Sequence, residues 1–236
     1  MNTNVENQPV ATNASDDPTA ALSNFALTDL QGYTQEEKYS PNASKDFHLF
    51  YVGRDDVHEV LKHVLSRVRT SLYLNMFGYD DDELNDIIMD KVKDPDIVVL
   101  ITLDKSQAGG VHEKKLVALD QEIGLANFNT HFVIGQSPTH QISHTKGFVA
   151  DGIVGGEGST NWSSSGEGTF VVKGQAGGDG YKAQNNTQTI FIDPDAVRSF
   201  QAELLAEHMA AKNGEDHNVP AKHRQQRLKL DAPPLD

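Results

Sequence analysis

The middle of the chain alternates between short apolar runs and segments with helical periodicity. The runs at 48–53, 71–77 and 97–103 are rich in aromatic and β-branched residues, and the last two have the near-continuous apolar character of buried strands. From Val57 to Val68, apolar residues recur at i, i+3, i+4, i+7, i+8 and i+11, which predicts an amphipathic helix, and a second helix is predicted from Asp81 to about Lys93. Strands that alternate with helices need crossover connections. The pattern therefore predicts an α/β domain with a mixed sheet flanked by helices.

The second half of the chain continues this alternation. A helix is predicted over about 111–122, a strand over 130–135, another strand over 188–193, and a helix that begins at Pro194. Two β-like runs lie on either side of Asp151-Gly152, and an Asp-Gly pair in that position is a strong signal for a β-hairpin. The sequence shows no internal repeat.

The remaining segments are polar and lack a sustained period. We interpret residues 1–45 and 213–236 as flexible tails, because both are polar and interrupted by proline. Residues 163–187 are rich in glycine and poor in apolar side chains, which predicts a mobile insertion. The folded domain is therefore expected to span 46–212, a length that suits one domain with its own core.

Charge and composition exclude several classes of protein. The chain has 34 acidic and 20 basic residues, and the resulting net charge of −14 disfavours non-specific binding to nucleic acid, although a local basic cleft stays compatible with it. The absence of cysteine excludes disulfides, thiolate zinc sites and cysteine nucleophiles. The sequence lacks an apolar run of the roughly 20 residues that span a membrane. It also lacks a secretory signal, so we expect a soluble cytoplasmic protein, or a secreted or periplasmic one if a leader has been removed.

Four polar side chains form the strongest candidate for a site. If 144–150 is a strand, His144 and Lys146 project from the same face, because side chains alternate along a strand. The hairpin then brings Ser159 and Asn161 back to the same end of the sheet. An imidazole nucleophile, an ammonium, a hydroxyl and a carboxamide at one point suit a phosphodiester without any metal. A histidine and a lysine at this spacing also occur by chance, and a lone strand histidine is more often a core residue.

A family resemblance sharpens this hypothesis. The segment HTKGFVADGIVGGEGSTN resembles the HKD motif of the phospholipase D superfamily, HxK-x4-D-x6-GSxN. Six residues fall in register with that motif: His144, Lys146, Asp151, Gly158, Ser159 and Asn161. The resemblance extends over about 47–210 and is strongest to the small bacterial nuclease-like branch, which has one motif per chain.

The resemblance implies a mechanism for the site. In that family the motif histidine attacks phosphorus to form a phosphohistidine, and the histidine of a second motif protonates the leaving oxygen. His144 would take one of these roles, Lys146 and Asn161 would bind phosphate oxygens, and Ser159 would line or support the phosphate pocket. Asp151 and Gly158 would be structural, and neither a metal nor a cofactor would be required. Because the chain carries one motif, the resemblance implies a C2 homodimer with a composite active site.

One position departs from the family pattern. The family places a glutamate that orients the motif histidine where this chain has Asn185. An amide oxygen can accept the imidazole N–H, but it supplies no charge to stabilise an imidazolium. Glu157 or Glu167 could take over this role.

Several other residues are given structural roles. We interpret His112 and Lys114, the other HxK pair, as surface charge on a helix, because residues two apart on a helix do not face each other. His131, on a predicted strand, and His140, in a predicted loop, do not have the spacing of metal ligands, so we interpret both as polar residues rather than as ligands. Trp162 is predicted to be a core or dimer-interface aromatic rather than a platform for base stacking.

The leading functional hypothesis is metal-independent hydrolysis of a phosphodiester, with nucleic acid favoured over phospholipid. The resemblance to small single-motif nucleases favours nucleic acid, whereas the net negative charge disfavours it. Two alternatives stay open: a phospholipase D-type phospholipid hydrolase, and a binding or scaffold protein that kept the fold and lost turnover.

Overall fold

A computed structural model describes residues 21–104, 110–112, 114, 115, 118, 119, 130–135, 144–174 and 182–212. Within them seven strands form one sheet of order β1-β7-β6-β5-β2-β3-β4. The strands are β1 (Phe47–Tyr51), β2 (Ser71–Met76), β3 (Val98–Asp104), β4 (Thr130–Gly135), β5 (Lys146–Ala150), β6 (Val154–Gly158) and β7 (Thr187–Phe191). Strands β2, β3 and β4 are parallel to one another, and the other neighbouring pairs are antiparallel. The predicted α/β class with a mixed sheet is confirmed.

Four of the described helices begin after a residue whose side chain accepts from an N–H group of the first turn. They are α1 (Val57–Ser66), α2 (Asp82–Lys93), two single-turn helices α3 (Ser164–Glu167) and α4 (Thr169–Val172), and α5 (Pro194–Lys212). Asp56 caps α1 by accepting from the Glu59 N–H at 3.2 Å, and Asp81 caps α2 by accepting from the Leu84 N–H at 2.7 Å. In the described part of the chain, no helix combines the length and the apolar character needed to cross a bilayer.

Two layers of helices bury the two faces of the sheet. On one face, Leu72, Leu74 and Phe148 join a large core that also includes the apolar residues of α1 and α2. On the other face, Val149 packs with Val197 and Leu204 of α5. Alternation along the strands therefore divides the buried residues between the two layers, as expected for a sheet covered on both sides.

The folded domain begins earlier than the sequence predicts. Residues 22–24 and 27–33 form two short 3₁₀ helices, and the leucine side chains at 22, 27 and 30 are buried in the main core. The Tyr33 hydroxyl and Nδ1 of His63 on α1 form a hydrogen bond at 3.1 Å. The assignment of all of 1–45 to a flexible tail is therefore wrong for 21–45. The leucines follow neither a helical nor a strand period, so periodicity could not reveal them.

Within the predicted mobile insertion over 163–187, the structure describes two single-turn helices and closely packed glycines. Gly166 and Glu167 are buried, and a Cβ atom on Gly166 would lie 2.1 Å from the Asn161 carbonyl oxygen. Gly168 has a φ of 63°, in the region that glycine adopts without strain. Glycine is required here for close packing and for a left-handed residue. Residues 175–181 lie outside the described part of the chain.

Candidate functional site

A tight hairpin brings the two halves of the predicted motif together. Asp151 and Gly152 have φ values of 53° and 66°, and the Ile153 N–H donates to the Ala150 carbonyl at 3.0 Å. Strands β5 and β6 pair antiparallel on either side of this turn. The predicted hairpin is confirmed, and it returns the end of β6 to the edge of the sheet where β5 begins.

The Asp151 carboxylate holds this turn against the start of β2. Its Oδ1 accepts from the backbone N–H groups of Thr70 at 2.8 Å and Ser71 at 3.0 Å, and from the Thr70 hydroxyl at 3.0 Å. The Arg69 N–H lies 3.1 Å and 3.0 Å from its two oxygens. Asp151 thus caps main-chain donors at the end of β5 that is remote from Lys146, which is the structural role that its turn position predicts.

His144 and Lys146 both contact Phe77, which directly follows β2. The His144 ring is exposed, and its centroid lies 4.5 Å from that of Phe77. The Lys146 side chain is buried, with Nζ 5.1 Å from the Phe77 ring centroid, and it donates to the His144 carbonyl at 2.8 Å. Burial lowers the pKa of Lys146, and the charge of Glu157 opposes this shift. The strand begins at Lys146, so His144 lies in the segment before it rather than within the predicted strand.

Ser159 and Asn161 leave the end of β6 at the same edge of the sheet. The Ser159 hydroxyl donates to Oδ1 of Asn186 at 3.1 Å and accepts from the Thr187 N–H at 3.1 Å. Asn161 packs on Gly78, where a Cβ atom would lie 2.9 Å from the Asn161 Cγ. Its Oδ1 is buried and has no hydrogen-bond partner within the described residues. The segment Phe77-Gly78 thus touches three of the four predicted site residues.

The amide next to this site belongs to Asn186, whereas the predicted position was Asn185. Asn185 is exposed, while Asn186 binds Ser159 and donates to the Gly166 carbonyl at 3.1 Å. The glycine-rich segment offers no period from which the sequence register could be fixed. Glu157 acts on the pKa of Lys146 through its charge, and Glu167 is hydrogen-bonded to His58.

Comparisons with known proteins give a fold. No protein-family model and no curated protein sequence matches this chain. NucT from Helicobacter pylori is similar in structure, with a TM-score of 0.51 at 16% identity over 70% of this chain and 96% of that chain. The phospholipase D family member Nuc from Salmonella typhimurium has a TM-score of 0.49 at 15% identity, over 70% and 94% of the two chains. Phosphatidylserine synthase from Haemophilus influenzae has a TM-score of 0.49 at 12% identity, over 80% of this chain and 46% of that chain.

This chain has the phospholipase D superfamily fold. We call the edge of the sheet that carries His144, Lys146, Ser159 and Asn161 the motif edge.

A second histidine cluster is buried in the same phospholipase D fold. Nδ1 of His58 lies 2.5 Å from Oε2 of Glu167 and 3.5 Å from Oδ2 of Asp81, and its Nε2 lies 3.4 Å from Oε2 of Glu83. Burial by itself would lower the pKa of His58, but these carboxylates outweigh it and raise the pKa to about 9. Burial raises the pKa of Glu167 to about 7. Sequence reasoning missed this cluster, because its members are far apart in the chain and form no motif.

The structure tests the roles predicted for the second HxK pair, His112 and Lys114, and for Trp162. His112 is buried, with Nδ1 3.0 Å from Oδ1 of Asp80 and Nε2 2.8 Å from Oδ1 of Asp82, so its assignment to surface charge is wrong. Lys114 is exposed, as predicted. Trp162 is 1% exposed and packs in the core, which confirms the core alternative. The side chains of 131 and 140 lie outside the described part of the structure.

Proposed function

We propose that this chain is a metal-independent phosphodiesterase with His144 as its nucleophile and nucleic acid as its substrate class. One observation carries the proposal: an exposed imidazole and a buried ammonium both contact Phe77, and Asn161 packs on the adjacent Gly78. This arrangement places a nucleophile beside two groups that can donate hydrogen bonds to phosphate oxygens.

The proposed reaction has two steps. A ring nitrogen of His144 attacks phosphorus, the bond from phosphorus to the leaving oxygen breaks, and a phosphohistidine forms. Water then attacks that phosphorus, the P–N bond breaks, and a phosphate monoester leaves while the imidazole is restored. The exposure of His144 supports the proposal, because both the substrate and the attacking water must reach its ring.

Lys146 and Asn161 are suited to stabilise the charge that develops on phosphate. The Lys146 ammonium has three N–H donors, of which one is described as bound, to the His144 carbonyl. Its burial strengthens its attraction for an anion, because charges interact more strongly when little water surrounds them. The Asn161 oxygen is buried against Gly78, which leaves the amide nitrogen as the group to donate to phosphate.

The leaving oxygen also needs a proton, and we propose that His144 of a second chain supplies it. The chain carries one HxK-x4-D-x6-GSxN motif, so two acid–base imidazoles require two copies. An isologous C2 interface at the motif edge would bring them to one phosphate. The two Lys146 side chains would then provide the positive charge that a metal provides in other phosphodiesterases.

One observation favours a second candidate, a binding or scaffold protein of the same fold. Ser159 is bonded to the neutral amide of Asn186, which supplies no charge that would favour an imidazolium. Phosphate would still bind at the motif edge of such a protein, but turnover would be absent.

The test is an assay of the wild-type and His144→Ala proteins in excess chelator, at a temperature far below unfolding. The substrates are a bis-aryl phosphodiester, single-stranded DNA, duplex DNA, RNA and phospholipid vesicles. We expect the wild-type protein to cleave the chromogenic diester and nucleic acid, and the variant to be inactive. Strict dependence on an added divalent metal, in protein whose fold is intact in chelator by circular dichroism, would contradict the mechanism, and cleavage of phospholipid alone would contradict the substrate class. Phosphate binding without cleavage would favour the scaffold alternative.

A further inference from the structure

The cluster around His58 gathers three metal-binding side chains from three separate elements. His58 lies on α1, Asp81 caps α2, and Glu167 ends α3. Their exposed fractions are 3%, 6% and 0%, and one donor atom from each lies within 4.8 Å of the others. We call this set of one imidazole and two carboxylates, all of them buried, the buried cluster.

The buried cluster has more negative than positive charge, and one of its oxygens has no partner. Oε2 of Glu167 contacts His58, whereas Oε1 of the same carboxylate is buried without a hydrogen-bond partner among the described residues. A buried charge is normally paired, hydrogen-bonded or bound to a metal, because its removal from water costs several kcal/mol. The unpartnered oxygen therefore leaves a coordination position for a positively charged ligand.

These side chains are surrounded by the same kinds of groups that surround metal-binding side chains in other proteins. A histidine that ligates a metal usually directs its other ring nitrogen to a carboxylate, and ligating carboxylates are themselves hydrogen-bonded. Nε2 of His58 lies 3.4 Å from Glu83, which is bound in turn by Lys62 at 2.6 Å. The second oxygen of Asp81 accepts from the Leu84 N–H at 2.7 Å. These contacts fix the orientation of the donor atoms before any ion binds.

We propose that His58, Asp81 and Glu167 bind one divalent transition-metal ion, with Zn²⁺ as the best match. One imidazole nitrogen and two carboxylate oxygens form a donor set that zinc accepts, whereas Mg²⁺ and Ca²⁺ prefer oxygen alone. The buried position gives the ion a structural role. It connects α1 and the start of α2 to the segment that follows Asn161.

This segment is already connected to the loop that contains Asp81. The Trp162 N–H donates to the Gly78 carbonyl at 2.9 Å, and the Asp80 N–H donates to the Trp162 carbonyl at 2.6 Å. An ion at the buried cluster would add a bond across the same junction. The proposed site shares no residue with the motif edge, so it does not depend on the proposed function.

The test measures zinc binding to chelator-treated protein by titration calorimetry and by thermal unfolding. We expect one Zn²⁺ per wild-type chain and a rise of several degrees in melting temperature, because an ion that binds only the folded state stabilises it. Glu167→Gln keeps the shape of the side chain but removes its charge, and it should weaken binding by at least about 100-fold. The matched control is Asp80→Asn, since Asp80 is bonded to His112 instead. It should bind zinc like the wild type.

A second variant guards against a folding defect. Asp81→Ser retains a side chain that can cap α2 but removes a ligand, so this protein should fold and bind zinc weakly. Without metal, circular dichroism of both variants should match that of the wild type. The proposal is overturned if the wild-type protein binds no stoichiometric zinc, or if zinc raises the melting temperature equally in the wild type and in either ligand variant.

Discussion

The motif edge and the buried cluster both contain a histidine, but the groups around the two imidazoles differ in charge. At the motif edge, the described hydrogen bonds of Lys146 and Ser159 go to a carbonyl and an amide. In the buried cluster, His58 is surrounded by the carboxylates of Asp81, Glu83 and Glu167. A lysine with neutral hydrogen-bonding neighbours suits a phosphate, and carboxylates with too few donors suit a cation.

The two histidines also differ in their exposure to solvent. His144 is exposed, whereas His58 is 3% exposed. An imidazole can act as a nucleophile only where substrate reaches it, and it can hold a structural ion best where water does not. The comparison teaches that the partners and the exposure of a histidine, rather than its presence, indicate what it does.

The largest expected effect comes from removing the exposed histidine. His144→Ala should lower phosphodiesterase activity by at least about 1000-fold, because the substitution removes nucleophile and acid together from a symmetric site. Hydrolysis of a bis-aryl phosphodiester measures this, and circular dichroism checks the fold. His140→Ala, which changes a histidine four residues upstream, is the control and should retain activity. Comparable activity in the two variants would remove the distinction between the motif edge and any other histidine.

Asp151 belongs neither to the phosphate-binding groups proposed for the motif edge nor to the buried cluster. Its carboxylate mainly accepts hydrogen bonds from backbone N–H groups, so it should contribute to stability. Asp151→Ala leaves the N–H groups of residues 69–71 without their acceptor, so the free energy of unfolding should fall by about 3 kcal/mol. Urea unfolding measures the loss. The control Asp193→Ala removes a single cap contact, to the Ala196 N–H, and should cost about 1 kcal/mol. Equal losses would mean that the Asp151 contacts contribute little.

The two adjacent asparagines allow a test of the support for the motif edge. Asn186→Ala removes the acceptor of Ser159 and a donor to Gly166, so activity should fall by about tenfold, which corresponds to about one hydrogen bond. Asn185 is exposed, and Asn185→Ala should have little effect. Steady-state kinetics compares the two variants. A larger effect at Asn185 would favour the position expected from the sequence over the one seen in the structure.

Mixed dimers test whether the motif edge is complete in one chain. Co-expression of wild-type and His144→Ala chains in equal amounts should leave about one quarter of the dimers fully wild type, by random pairing at a C2 interface. If two imidazoles are needed, activity per dimer should fall to about that quarter. A fall to only about half would mean that each chain holds a whole site.

The smallest expected effect concerns a carboxylate that has its own cation. Burial would raise the pKa of Asp55, but Arg54 and the N–H groups of Tyr51 and Gln35 outweigh burial and lower it. Because the folded pKa is below the unfolded one, this stabilisation is present above the unfolded pKa and is lost as pH falls through the folded pKa. Urea unfolding across acid pH should show a shallower acid loss for Asp55→Asn than for the wild type. Asp46→Asn, at an exposed aspartate, should match the wild type.

The sequence by itself determined the fold class and the hairpin. The spacing of apolar residues predicts strands and helices because one face of a sheet or of a helix must be buried. It predicted the helix Val57–Ser66 as well as the strands. The hairpin was predictable because Asp151 and Gly152 tolerate the positive φ that a tight turn demands. The six motif residues could be recognised from the sequence because they lie on one hairpin, whose contacts join residues that are close together in the chain.

The tertiary structure alone decided which distant residues meet. His58 and Glu167 are 109 residues apart and touch only because α1 and α3 pack at the same place in the fold. The choice of Asn186 over Asn185, the burial of His112 and the packing of residues 21–45 depended on contacts of the same kind. Periodicity reports which face of an element is buried, whereas a contact between elements depends on how they are arranged in space. The motif edge was therefore accessible to sequence reasoning, and the buried cluster was not.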